Sequence, residues 1–135
     1  MRRLALAASV MIVTSMLTFL QGPAFAQGAA PAGDPAVGAK LFIQCRACHN
    51  VQPGQPNSVG PNLAGVMGST AGKLNGYTFS PALVKSGLKW DDATMDAWLK
   101  RPSAVVPGNK MAFAGMANPR QRADMIAYLS TLKGK

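Results

Sequence analysis

Cys45-Arg46-Ala47-Cys48-His49 is the stretch on which the reading of this chain turns. It holds both cysteines and the single histidine of the 135 residues. A Cys-x-x-Cys-His run is the attachment signature of c-type haem. Two thiols three residues apart on one helical turn can each add to one of the two vinyl groups on a haem edge. The following histidine is then carried under the iron, where its imidazole can serve as proximal ligand. Three other chemistries use parts of this pattern. A thioredoxin-type pair would need a surrounding βαβ pattern, which the sequence lacks. A closed structural zinc site needs four Cys or His ligands, and only three exist. A lone structural disulfide fits an oxidising compartment but leaves the histidine in register unexplained. The expected cofactor is therefore one covalently bound haem c with its iron.

Outward from the motif, the N-terminus reads as a targeting segment. Met1-Arg2-Arg3 is basic, Leu4 to Leu20 is uncharged and mostly apolar, and Gly22-Pro23 breaks the run. Ala24-Phe25-Ala26 is a small-x-small cleavage site, so residues 1–26 have the form of a secretory signal peptide. The competing reading is a retained membrane anchor, for which the apolar run is short against the roughly 20 residues of a spanning helix. Cleavage after Ala26 and a periplasmic location are expected. Residues 27–33 (Gln-Gly-Ala-Ala-Pro-Ala-Gly) read as a flexible lead-in. Residues 34–135 form one small domain.

The charge is one-sided. Loss of Arg2 and Arg3 leaves 12 of the 14 Lys and Arg against five acids, all Asp, for a net charge of about +7. The basic residues are scattered singly and no nucleic-acid motif is visible, so nucleic acid is not an expected partner. An acidic redox-partner protein is.

The secondary-structure pattern is all-α. Asp34-Pro35 places an N-cap before Pro at the first helical position, opening a helix to about Gln44 with Val37, Gly38, Leu41 and Phe42 turned inward. Asn50 to Asn62 is rich in Pro, Gly, Asn and Gln and reads as loop. Ser80-Pro81 opens a short helix ending at Gly87. Asp91 or Asp92 caps another through Met95, Trp98 and Leu99, stopped before Pro102. Asn118-Pro119 starts the last, with Ile126, Leu129 and Leu132 on its buried side. So small a domain supports only a modest core. A buried haem would supply the missing apolar area.

The sixth iron position has several thioether candidates: Met67, Met95, Met111, Met116 and Met125. Met95 and Met125 lie inside helical patterns and read as packing residues. Met111 lies in a loop, Val106-Pro107-Gly108-Asn109-Lys110-Met111-Ala112-Phe113, 62 residues beyond His49. Met116 shares that loop and competes. Pro107 and Gly108 restrict and turn the chain just ahead of Met111, and Phe113 can cover the haem face beside it.

With these pieces the chain resembles the class I c-type cytochromes, close to the bacterial cytochrome c2 and mitochondrial cytochrome c branch. The matching pieces run in the family's order from 34 to 132. They are Gly38-x-x-x-Phe42, Cys45-x-x-Cys48-His49, Gly60-Pro61-Asn62-Leu63-x-Gly65, Gly76-Tyr77, Trp90, Pro107-Gly108-x-Lys110-Met111-x-Phe113 and Ile126-Ala127-Tyr128-Leu129. The resemblance implies a small all-helical cytochrome c fold around one haem, with Gly38 letting the N- and C-terminal helices cross closely against Tyr128. It implies His49 and Met111 as axial ligands and the Pro61 carbonyl near the His49 ring N–H. It implies Tyr77, Trp90, Trp98 and Asn109 as pocket residues, with Trp90 and Asn109 at positions that hydrogen-bond haem propionates.

Departures from the family pattern are local. Phe79 replaces a frequent tyrosine that donates to a propionate, and Ser80 beside it is the substitute donor. Ser69 replaces a frequent buried arginine. Trp98 stands where a tyrosine usually sits near the methionine sulfur, and its indole can only donate. Lys40 and Lys110 match lysines around the exposed haem edge, where Gln44 and Ser103 replace others.

The implied function is a soluble, monomeric one-electron carrier. Its partners by family are a quinol-oxidising complex, a terminal oxidase, a photosynthetic centre or a periplasmic dehydrogenase. Iron with both axial positions filled has no open site for substrate, so no enzyme activity is expected. Two alternatives stay open here. A labile Met111 would make a small-ligand sensor or a peroxidase-like protein. A domain fixed in a larger complex would be an electron-transfer subunit.

Overall fold

The computed structural model describes residues 32–134. The signal-peptide reading of residues 1–26 and most of the expected lead-in lie outside the described residues, as does Lys135.

Helix α1 is Pro35–Leu41, continued by a 3-10 turn over Phe42–Gln44 that delivers the chain to Cys45. Helix α2 is Pro81–Ser86, α3 is Asp92–Lys100, α4 is Pro102–Val105 and α5 is Pro119–Thr131. No strand forms among the described residues; one isolated bridge pairs Thr70 with Lys89. No described helix is long and apolar enough to cross a membrane.

The helix starts follow from local chemistry. The Asp34 carboxylate accepts from the Ala36 and Val37 amides at 2.8 and 3.3 Å, and the Ser80 hydroxyl oxygen from Leu83 at 3.2 Å. Asp91, and not Asp92, caps α3 by accepting from the Thr94 amide at 2.8 Å. Asn118 caps α5 by accepting from the Arg120 amide at 2.9 Å. Each cap satisfies amides that the first helical turn leaves without a partner.

Helices α1 and α5 cross at Gly38. A Cβ placed there would stand 2.0 Å from the Asp124 carbonyl oxygen, so only glycine permits the approach. The Asp34 amide donates to Asp124 Oδ1 at 2.7 Å across the same crossing, and the Phe42 and Tyr128 rings meet at 5.3 Å. Arg122 of α5 reaches Asp96 of α3 with Nε to Oδ1 at 2.7 Å. The long segment between Cys48 and Ser80 carries no helix. It is tied down by backbone bonds such as Gly65 N–H to Leu132 O at 3.1 Å and Gly68 N–H to Trp90 O at 2.8 Å.

Four details correct the sequence reading. Val37 is 39% exposed, because the α1 face that meets α5 is centred on Gly38 and Phe42. Gly33, assigned to the flexible lead-in, is packed: a Cβ there would meet the Ala123 carbonyl oxygen at 2.0 Å. Pro102 ends α3 and also opens α4, since a proline lacks the amide that a first helical residue has no use for. On α5, Arg122, Asp124, Met125 and Leu129 are buried, while Ile126 and Leu132 are half-buried. The two charged residues are buried because each is paired: Arg122 with Asp96, and Asp124 with Arg120 at 3.1 Å.

Candidate functional site

One cavity of about 540 Å³ lies inside the helices, and its lining joins elements far apart in sequence. Phe42, Leu83, Met95, Leu99, Met125 and Leu129 give it an apolar floor drawn from α1's extension, α2, α3 and α5. All ten residues singled out from the sequence line this one space: Cys45, Cys48, His49, Pro61, Tyr77, Trp90, Trp98, Asn109, Met111 and Phe113. Of the competing thioethers, Met95 and Met125 also line it. Met67 and Met116 do not.

The motif itself is a tight turn. The amides of Cys48 and His49 both donate to the Cys45 carbonyl, at 3.1 and 3.0 Å, so the two thiols and the imidazole leave one turn of chain together. Both cysteines are free and half-buried. Burial, then the neighbouring Cys48, push the Cys45 thiol above its ordinary value. His49 Nδ1 lies 2.7 Å from the Pro61 carbonyl oxygen. A carbonyl only accepts, so Nδ1 carries the proton and Nε2 keeps its lone pair. Burial pushes the imidazole below its ordinary value, overcoming the Pro61 carbonyl, which raises it. The ring is therefore neutral at physiological pH, the form a metal requires. Gly60 flattens the chain against that ring: a Cβ there would stand 2.4 Å from His49 Cε1. Its amide donates to the Cys48 carbonyl at 2.7 Å.

Met111 is half-buried in the segment between α4 and α5. Asn109 braces it: Nδ2 donates to the Val106 carbonyl at 2.9 Å, and Oδ1 accepts from the Met111 amide at 2.9 Å. Most of the Asn109 side chain is thus spent within its own turn. Met116 is 5% exposed, with its amide donating to Leu99 O and its carbonyl accepting from Arg122 Nη1, so it is a packing residue of the loop's far end. Trp90 and Trp98 meet edge to face at 5.2 Å. Neither indole N–H donates to a protein acceptor among the hydrogen bonds of the described residues, no buried side-chain polar atom there lacks a partner, and both indoles line the cavity. The Ser80 oxygen accepts from Leu83, which leaves the hydroxyl proton free to donate into the cavity it lines. Ser69 donates to the Val66 carbonyl and is exposed, so no buried cation stands at that position.

Two thiols, a lone-pair nitrogen, a thioether, two indole donors and an apolar hollow fit a covalently held haem. They fit the alternatives poorly. Among the described residues no cluster of three or more His, Cys, Asp or Glu could hold a metal, which removes the zinc reading. The cytochrome c family model matches residues 35–133. The chain belongs to the cytochrome c family. It has one covalently bound haem c, in the family whose work is electron transport. The chain is 50% identical over 104 residues to cytochrome c2 of Rhodomicrobium vannielii, covering 77% of this chain and 83% of that one. It is 42% identical over 98 residues to cytochrome c of Kluyveromyces lactis, covering 72% and 89%. Cytochrome cH from Methylobacterium extorquens superposes with a TM-score of 0.70 at 51% identity, covering 73% of this chain and 99% of that one. The all-α cytochrome c fold expected from the sequence is the fold observed.

Sequence reasoning did not single out Gly60, although it quoted the piece that contains it. No local signal says that a ring from 11 residues earlier lies on that glycine. Nor did it anticipate the partners of two residues it had singled out: the Tyr77 hydroxyl donates to the Val59 carbonyl at 2.8 Å, and Lys110 turns in toward the Tyr77 ring at 5.1 Å.

Proposed function

We propose that this cytochrome c is a soluble, exported one-electron carrier whose iron is ligated by His49 and Met111. The observation that carries the reading is the convergence of these two donors on one cavity that also takes both cysteines. Haem c, when bound, supplies a single iron that exchanges one electron between its ferric and ferrous forms, at a potential raised by Met/His ligation.

The chain's residues prepare that exchange. Cys45 and Cys48 hold the group permanently, so the carrier cannot lose it between partners. Pro61 orients the imidazole and sets its tautomer, a contact that also raises the ligand's basicity. The Asn109 brace holds the Met111 backbone in place, so the thioether is presented from a fixed turn. The apolar lining disfavours the extra positive charge of the ferric form and excludes water. His49 and Met111 would hold the iron between them and would leave it no site for substrate, which supports a carrier and not an enzyme.

The net charge favours an acidic partner: a quinol-oxidising complex, terminal oxidase, photosynthetic centre or periplasmic dehydrogenase. Lys40 and Lys110 are exposed, and Lys110 lines the cavity whose edge the partner must approach.

The test is a pair of substitutions. Met111→Ala is expected to abolish the methionine–iron charge-transfer band, lower the potential and open the iron to added cyanide. Met116→Ala is expected to leave all three unchanged. A normal band in Met111→Ala would overturn the ligand assignment, and the carrier reading would weaken with it.

A further inference from the structure

We propose that Tyr77 is a positioning residue that ties the two ligand loops together, so that the His49 side and the Met111 side open as one unit. The inference rests on the ligand pair proposed above. Its basis is a chain of contacts across the cavity. On one side the Tyr77 hydroxyl donates to the Val59 carbonyl at 2.8 Å. Val59 leads directly into Gly60, which lies against the His49 ring, and Pro61, which holds its Nδ1–H. On the other side Lys110, the residue before Met111, places Nζ 5.1 Å from the Tyr77 ring centroid. The same ammonium donates to the Thr78 carbonyl. Phe79 packs its ring edge-on to Tyr77 at 4.8 Å, which keeps the tyrosine from swinging out of the line.

Residues 75–79 belong to no helix, so no backbone ladder of their own holds this segment between the loops. Side-chain contacts do it. Asn57 Nδ2 adds a parallel link by donating to the Gly76 carbonyl at 3.0 Å, so loss of the Tyr77 hydroxyl loosens the tie and does not abolish it. Withdrawing Met111 requires Lys110 to leave Tyr77 and Thr78, and the load passes through Tyr77 to the Val59–Pro61 strand of chain. Contacts arranged in series have a signature. Breaking either one weakens the tie, and breaking both weakens it little more.

The experiment uses the haem-loaded protein and three variants: Tyr77→Phe, Lys110→Leu and the double. Imidazole binding to the ferric form reports how readily Met111 gives way. Each single variant is expected to bind imidazole about fivefold more tightly, the factor that corresponds to the roughly 1 kcal/mol net worth of one hydrogen bond. The double variant is expected to match the stronger single. The second readout is amide exchange in the ferrous protein. Lys110→Leu is expected to speed exchange at Gly60, whose amide donates to the Cys48 carbonyl at 2.7 Å. Fully additive imidazole effects, or a Gly60 amide unmoved by Lys110→Leu, would overturn the tie. A wild-type protein lacking the methionine–iron band would instead overturn the ligand pair, and the exchange experiment would still decide the tie. Tyr77→Phe keeps the ring and Lys110 is exposed, so neither change threatens folding.

Discussion

Gly38→Ala sets two physical effects against each other, and the structure says which wins. By helix propensity alone, alanine in place of glycine inside α1 is stabilising by about 1 kcal/mol. The crossing opposes it. The new Cβ would stand 2.0 Å from the Asp124 carbonyl oxygen and 2.7 Å from Tyr128 Cβ, where real Cβ contacts essentially never fall under 3.0 Å. The oxygen belongs to the backbone of α5, so no rotamer change relieves the clash, and the helices must part by at least about 1 Å. Overpacking of this kind costs about 1–3 kcal/mol. Parting also stretches the 2.7 Å bond from the Asp34 amide to the buried Asp124 carboxylate, a charge-assisted bond worth about 1.5–3 kcal/mol. The net expectation is a loss of about 2 kcal/mol, which lowers the melting temperature by roughly 8–15 °C in a domain of this size. Thermal unfolding of the haem-loaded protein, followed by near-UV circular dichroism, measures it. Ala39→Gly on the exposed side of the same helix is the control and should lose about 1 kcal/mol through propensity. Both changes should therefore destabilise, although propensity assigns them opposite signs. A Gly38→Ala protein melting at or above the wild-type temperature would refute the close crossing as the reason for glycine.

Three other expectations are accessible. The Thr94 backbone amide holds the Asp91 carboxyl below its ordinary value of 3.8, so the cap contributes stability above that value and loses it as pH falls through the lower folded-state value. Asp91→Asn keeps a capping oxygen without the titration, so its urea midpoint should fall less than that of the wild type between pH 5 and pH 2 (about one unit either side of the transition); equal falls would contradict this. The electron-transfer rate with an acidic partner should drop steeply with salt, as the Debye length shrinks from about 30 Å at 0.01 M to about 10 Å at 0.1 M; Lys40→Gln and Lys110→Gln should each flatten the slope, and a flat wild-type profile would remove steering. Mass spectrometry of the exported protein should find Gln27 at the N-terminus, whereas a membrane-bound product beginning at Met1 would restore the anchor reading.

The chain's own order was enough for whatever depends on neighbours. Asp34, Ser80, Asp91 and Asn118 each cap a helix whose amides lie two or three residues on, so the four starts are legible in the residues themselves. The Cys45–His49 motif is legible for the same reason: one turn of chain presents all three donors. The family pattern extended that reading to distant pieces, and the ten residues it marked do meet in one cavity. What stayed hidden depends on partners far along the chain. Val37 points outward because the crossing with α5 selects the Gly38 side. Arg122 is buried because Asp96, 26 residues away, compensates its charge, and Asp124 because α1 crosses over it and the Asp34 amide, 90 residues back, donates to it. Gly60 must lack a side chain because a histidine ring lies on it, and Tyr77 matters because its hydroxyl meets a carbonyl 18 residues back. Periodicity and capping register interactions within a turn or two, whereas these contacts exist only after elements distant in sequence have packed against one another.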